Sequence, residues 1–331
     1  MTDEQSYSVK MVRIISTFMI FLCHTVFLFG DVVGLSAQFF NIAVTVFFFI
    51  SAYLFSLRKK LGGVLCWYKR RLVRIIVPYY ILHIVLIVLY LIFGKEINVH
   101  NWITNLFIVS GITETPVSGT GHMWFISAIL ICYIVTPLLY RIRENNKLFI
   151  LFLLMLFVLY VFIAIYLKDI IGTYFISVFE YILAFFVLKK YINKINSKKA
   201  NIIGFIVLIL GCLLKIIFVK YFDNTILYSK FLVQLCSVLI GFGIFTTIYF
   251  FTINNYKFFK KFYKVVSFLD GFSYEFYLVH MILIQGELSI LLFKNSILNI
   301  ILAFVVSLIL SYMLHLMSNS FIEVMKWDKK C

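Results

Sequence analysis

Arg13 and His24 stand in RIISTFMIFLCH, an otherwise apolar run, and they are the first pair in the sequence able to do chemistry together. Eleven residues at 100° each come to about 20° past three full turns, so on a helix the two share a face, separated by a rise of roughly 16 Å. An arginine holds phosphate through its planar fork, and a histidine serves as nucleophile or general base near neutral pH. A second group lies in WYKRRLVRIIVPYY, Trp67 to Tyr80. Arg71 and Arg74 are three apart, project from adjacent helical positions, and suit bidentate phosphate binding in a way lysine does not. Simple anchoring at a membrane surface accounts for Lys69 and Arg70 and fits Arg71 and Arg74 equally well. His83, Glu180, Lys215, Glu275, His280, Glu287 and His315 also fall in or beside apolar stretches. Each alone can be an interhelical hydrogen bond; with Arg13 and His24, the seven point to a polar cavity.

The elements that must position these residues follow from composition. The 331 residues are 63% hydrophobic, 19% aromatic and 13% charged. A soluble domain carries about 45–50% apolar and roughly 25% charged residues, and a disordered chain departs the other way, so both classes are excluded. What remains is an all-α, polytopic membrane helix bundle. Helical-length apolar runs fall at 11–30, 38–57, 74–93, 123–140, 148–167, 171–188, 201–219, 229–252, 271–293 and 297–320, which predicts ten transmembrane helices. The stretch 97–110 is amphipathic, too polar to span, and is expected in the outer interface.

The net charge of +16 would suggest nucleic acid in a soluble chain. Here the cations sit in short blocks between apolar runs. Alternate loops divide them 24 to 5, with Lys215 inside a run, which predicts both termini in the cytoplasm and no nucleic-acid partner. Asp3 and Glu4 precede the first run and no small-residue cleavage site follows it, so it reads as a retained span. Cys23, Cys66, Cys132, Cys212, Cys236 and Cys331 have no metal or CxxC spacing and are expected to be core residues plus a tail thiol, with no metal site. No internal repeat or linker appears, so residues 1–331 are expected to form a single domain.

Five short segments, in order, resemble the acyltransferase 3 family of integral membrane acyltransferases. They are Arg13 to His24; FFFISAYLF (Phe47–Phe55); RLVRIIVP, with Arg71, Arg74 and Pro78; GHMWFI (Gly121–Ile126); and SYEFYLVH (Ser273–His280). Ala52 stands where the family usually has glycine, which touches only local helix packing. The resemblance covers the chain from Arg13 to the tenth run. It implies transfer of an acyl group, usually acetyl, from cytosolic acyl-CoA to a hydroxyl of a cell-envelope or exported carbohydrate, without a tightly bound cofactor. Arg13, Arg71 and Arg74 would neutralise the CoA phosphates. His24 would be catalytic, as acyl-carrying nucleophile or as general base for the acceptor. His122, Trp124, Glu180, Tyr277 and His280 are candidates for the cavity or the acceptor side. Low-GC-like residue usage, rich in Ile, Lys, Asn and Phe, points to a bacterial source, and with the apolar runs to a bacterial cytoplasmic membrane. The competing class is a transporter or flippase for a lipid-linked sugar or small solute, which mid-membrane His and Glu would also serve. A transporter has no need of an Arg–His pair beside a phosphate clamp.

Overall fold

A computed structural model describes residues 1–58, 62–166, 169–194, 196–222, 225 and 228–325. Among them every regular element is helical. The principal helices are α1 (Asp3–Thr25), α2 (Ala43–Ser56), α3 (Val64–Ile92), α4 (Val99–Leu106), α5 (Trp124–Ile142), α6 (Asn146–Tyr166), α7 (Asp169–Lys194), α8 (Ser197–Phe222), α9 (Val233–Asn254), α10 (Tyr263–Gly271), α11 (Ser273–Ile284) and α12 (Ser296–Val324), joined by one-turn pieces. Among the described residues eight helical stretches are long and apolar enough to cross a bilayer: Asp3–Phe29, Asp31–Ser56, Val64–Ile92, Gly121–Ile142, Asn146–Tyr166, Ser197–Phe222, Ser229–Asn254 and Ser296–Val324. Leu151, Met155, Val158, Phe162 and Ile165 on α6 stand exposed, as do Phe205, Ile209, Leu213 and Ile216 on α8. An apolar surface of that extent is stable only against lipid. The chain is a multi-pass membrane protein.

Two of the ten expected spans are not among the eight. The run 171–188 lies in α7, whose 26 residues rise about 39 Å, ample for a bilayer. The run 271–293 differs in kind. Its helix, α11, is only 12 residues, a rise of about 18 Å against roughly 30 Å of hydrocarbon. Gly286 takes φ 109°, and the chain then doubles back, Ile290 N–H donating to the Leu283 carbonyl at 3.0 Å. Hydropathy extends through this turn because Ile290, Leu291, Leu292 and Phe293 are apolar, but the helix does not.

The chain forms two compact units. The first comprises Met1–Met19, Gln38–Lys60 and Ile134–Asp270. Its helices approach through small residues: a Cβ on Gly204 would stand 2.3 Å from Thr246 Oγ1, and one on Gly243 would stand 2.6 Å from the Leu208 backbone. This is how helices associate where lipid supplies no hydrophobic drive between them. Tyr53 and Tyr249 share a hydrogen bond of 2.9 Å, Thr136 and Tyr181 one of 2.7 Å, and the Phe149 and Phe186 rings stack at 3.8 Å.

The second unit comprises Ile20–Ala37, Leu61–Tyr133 and Gly271–Cys331. Phe21, Phe276, Ile284 and Ala303 form a buried cluster that joins the end of α1 to α11 and α12. The expected interfacial stretch 97–110 contains α4, which buries Trp102, Thr104 and Asn105 and leaves Val99, Ile103 and Phe107 exposed. Tyr79 of α3 donates to the Asn105 carbonyl at 2.6 Å, fastening this segment to the helix. Lys95 and Glu287 pair at 3.3 Å between its two exposed loops.

Candidate active site

Three histidines meet in the second unit. His24 occupies the last turn of α1. His122 sits in the one-turn helix Gly121–Met123 that leads into α5, and His280 lies on α11. Their ring centroids are 5.3 Å apart for His24 and His280, 5.1 Å for His122 and His280, and 6.2 Å for His24 and His122. His280 is 0% exposed and His122 6%, whereas His24 is only partly buried.

The two buried rings have defined proton positions. His122 Nε2 faces the Tyr277 carbonyl at 2.8 Å, and His280 Nδ1 faces the Phe276 carbonyl at 3.1 Å. A carbonyl only accepts, so each of these nitrogens is the N–H and the other nitrogen of a neutral ring carries the lone pair. Those other nitrogens, His122 Nδ1 and His280 Nε2, are buried and have no hydrogen-bond partner among the described residues. A buried acceptor left open costs about 1–3 kcal/mol, so the site holds two basic atoms ready for a donor. Tyr277 fixes one of them from both sides: its hydroxyl donates to the His122 carbonyl while its own carbonyl accepts from the His122 ring. Phe125 packs edge-on against Tyr277 at 5.3 Å.

The turn carrying His122 is built from further residues. Thr120 Oγ1 donates to the Val117 carbonyl at 2.7 Å and to Asn105 Oδ1 at 3.1 Å, and Ser110 reaches the same oxygen at 3.2 Å. Gly119, at φ 80°, lies so close to the turn after α11 that an added Cβ would stand 2.4 Å from the Gln285 carbonyl oxygen. A Cβ on Gly286 would in turn stand 2.8 Å from Gly119 N. The segments ahead of His122 and beyond His280 are thus in backbone contact.

The remaining candidates are distributed. Trp124 begins α5, two residues after His122, and is partly buried. Arg71 and Arg74 lie on the first half of α3, Arg71 half-buried and Arg74 exposed. The Tyr274 hydroxyl donates to the Ile75 carbonyl at 3.0 Å, which ties the start of α11 to α3 beside Arg74. His280 stands six positions after Tyr274 on α11, a rise of about 9 Å. Arg13 belongs to the first unit, where it donates to Asp270 at 2.6 Å. Glu180 is in that unit too, buried, and accepts from Thr45 Oγ1 at 3.4 Å.

The expected gathering of seven polar residues therefore resolves into local partnerships. His83 Nδ1 donates to the Tyr79 carbonyl at 2.8 Å, its ring against Tyr79 at 4.1 Å. Lys215 donates to the Gln38 carbonyl at 2.7 Å, and His315 donates to Glu275 at 3.0 Å. Glu287 is on an exposed loop, and His280 alone of the seven joins His24 and His122. Pairing at short range is the least costly way to hold a polar group in hydrocarbon. Among the described residues no group of three or more His, Cys, Asp or Glu is arranged to hold a metal ion. Cys23, Cys132 and Cys236 are buried, and Cys331 lies outside the described residues. Asp270, Asn105, Tyr274 and the Gly119–Gly286 contact were not foreseen from the sequence; only the glycines carried a local signal, as breaks beside apolar runs.

Residues 6–316 match a family described as an acyltransferase domain, of the acyltransferase 3 type. No curated protein and no solved structure matches the chain.

Proposed function

Because the chain belongs to the acyltransferase 3 family, we propose that it moves an acyl group, acetyl foremost, from cytosolic acyl-CoA to a hydroxyl of a cell-envelope or exported carbohydrate. The observation that carries this is the meeting of His24, His122 and His280, with two buried lone pairs beside the one accessible ring. His24 is the nucleophile of this reading. It is the least buried of the three and, among the described residues, is held by ring contacts to the other two. A ring free of carbonyl ties can turn a nitrogen on a thioester carbon and carry the acyl group as acyl-histidine. That splits the transfer into two half-reactions, so donor and acceptor need not enter from the same side.

Arg71 and Arg74 take the CoA phosphates. They stand beside the start of α11, and the pantetheine arm is long enough to run from there past the 9 Å or so that α11 rises to His280. Arg13 belongs to the first unit, where it pairs with Asp270. His122, Trp124 and Tyr277 line the acceptor side, where flat rings with polar edges suit a sugar. The fold in this reading has ten membrane segments, α11 being a short one, in a bacterial cytoplasmic membrane with both termini in the cytoplasm. The 24-to-5 division of cations favours that orientation.

The test uses purified full-length protein and acetyl-CoA labelled in the acetyl group. Wild type should retain label without an acceptor, and His24→Ala should retain none and should not acylate envelope carbohydrate in cells. Removing an imidazole leaves less polar surface in the membrane, so the variant should insert at normal levels. Carbohydrate acylation undiminished in His24→Ala would remove the centre of this reading.

A further inference from the structure

An acyl group on His24 creates a proton problem that the surrounding residues solve. When one ring nitrogen takes the acyl group, the other still carries its hydrogen, and the electron-withdrawing acyl group makes that N–H far more acidic than the N–H of an ordinary imidazolium, so a neighbouring base is needed to take the proton. Among the described residues, the rings placed against His24 and His280, besides one another, are Phe21 from α1, His122 from the turn before α5, and Phe276 and Tyr277 from α11; Phe304 and Ala303 of α12 pack behind Phe21 and Phe276. None of these is a carboxylate or a fixed cation.

His280 is the nearer imidazole, at 5.3 Å, and its Nδ1–H is spent on the Phe276 carbonyl four residues earlier in its own helix. That leaves Nε2, the ring atom farthest from the helix backbone, without a partner among the described residues, in a side chain that is 0% exposed. His122 keeps its open nitrogen on the Nδ1 side, nearest its own main chain, and its centroid is 6.2 Å from His24.

We propose that His280 Nε2 holds the ring proton of His24 for as long as His24 carries the acyl group. The proposal rests on the acyl-histidine reading above. In the first half-reaction a His24 nitrogen bonds to the thioester carbon, the C–S bond breaks, CoA leaves as thiolate, and the other His24 nitrogen passes its proton to His280 Nε2. In the second half-reaction the acceptor oxygen bonds to the acyl carbon and the C–N bond breaks. His280 returns its proton to His24, and the hydroxyl proton goes to water. The thiolate takes a proton from water, so the sum is acyl-CoA plus alcohol giving ester plus CoA thiol. His280 is thus a positioning and proton-holding residue that acts through His24.

Two substitutions separate holding a proton from merely orienting His24. His280→Gln places an amide where Nε2 was; its oxygen accepts a hydrogen bond but cannot keep a proton. His280→Asn keeps a donor near the Phe276 carbonyl and removes the distal atom. Release of CoA from acetyl-CoA, measured by rapid quench on full-length protein in nanodiscs, should fall 10²–10⁴-fold in both variants, the usual worth of a proton-transfer group. Elution volume and acetyl-CoA binding should stay as in wild type. If His280→Gln keeps a tenth or more of the wild-type rate, His280 only orients the ring and the proposal is overturned. It is also overturned if His122→Gln, and not His280→Gln, shows the loss. Label never retained by wild type would overturn the acyl-histidine reading and this proposal with it; label retained equally by wild type and His280→Gln would overturn this proposal alone.

Discussion

Gly119→Ala tests whether the backbone contact between the turn before His122 and the turn after α11 sets the geometry of the site. Two penalties add at this position. Gly119 has φ 80°, where an L side chain is strained by roughly 1–2 kcal/mol. Its Cβ would also stand 2.4 Å from the Gln285 carbonyl oxygen and 3.1 Å from Ile282 Cα, both main-chain atoms that cannot rotate away. Overpacking of that kind costs about 1–3 kcal/mol, giving about 2–5 kcal/mol in total. Gly94→Ala is the matched control, because φ is 61° and nothing lies within 4 Å of its Cβ, leaving the strain alone. The chain can relieve the clash only by moving one turn away from the other. Such a move shifts His122, three residues on, against His280. A displacement of about 1 Å at reacting groups costs on the order of 10²-fold in rate. Thermal denaturation in detergent, read beside acetyl transfer, should therefore show Gly119→Ala less stable than Gly94→Ala and about a hundredfold slower, with Gly94→Ala transferring normally. If Gly119→Ala is as stable as Gly94→Ala and transfers at the wild-type rate, the contact does not position His122 and the reasoning fails.

The donor site is checked by steady-state kinetics: Arg71→Ala with Arg74→Ala should raise KM for acetyl-CoA tenfold or more per lost contact, since a charge-assisted hydrogen bond is worth about 1.5–3 kcal/mol. Lysine at both positions should restore only part of this, and full activity there would leave both arginines as membrane anchors. Orientation is checked by reporter fusions: Lys198 and Lys260 should report cytoplasm and Asn98 the outside, and a cytoplasmic Asn98 would reverse the proposed sidedness.

Much of the architecture was legible because hydropathy is a local quantity. A helix in lipid must be apolar along its whole length, so eight of the ten expected runs are helices long enough to span, and a ninth lies within α7. The run 271–293 is longer than its helix, because averaging over a span-length window cannot see a turn when the residues beyond it are also apolar. What ends the helix is the chain reversing at Gly286, held by a hydrogen bond from Ile290 to Leu283. The family was legible for a similar reason: its short segments occur in order, from Arg13 to His280, over the region that residues 6–316 match.

The sequence also determined which residues have the chemistry. His24, His122 and His280 are rare polar groups in an apolar chain, and their types alone single them out. Only the tertiary structure decided that these three meet while Glu180 turns to Thr45, Lys215 to the Gln38 carbonyl, and Arg13 to Asp270. It also decided which nitrogen of His122 and of His280 carries the hydrogen. Periodicity tells which face of a helix a side chain leaves from, but not which other helix stands opposite. His24 and His280 are 256 residues apart, and what brings their rings to 5.3 Å is the packing of Phe21 and Phe276 beside them. That packing depends on volumes contributed by several distant segments at once, and no single stretch of the chain encodes it.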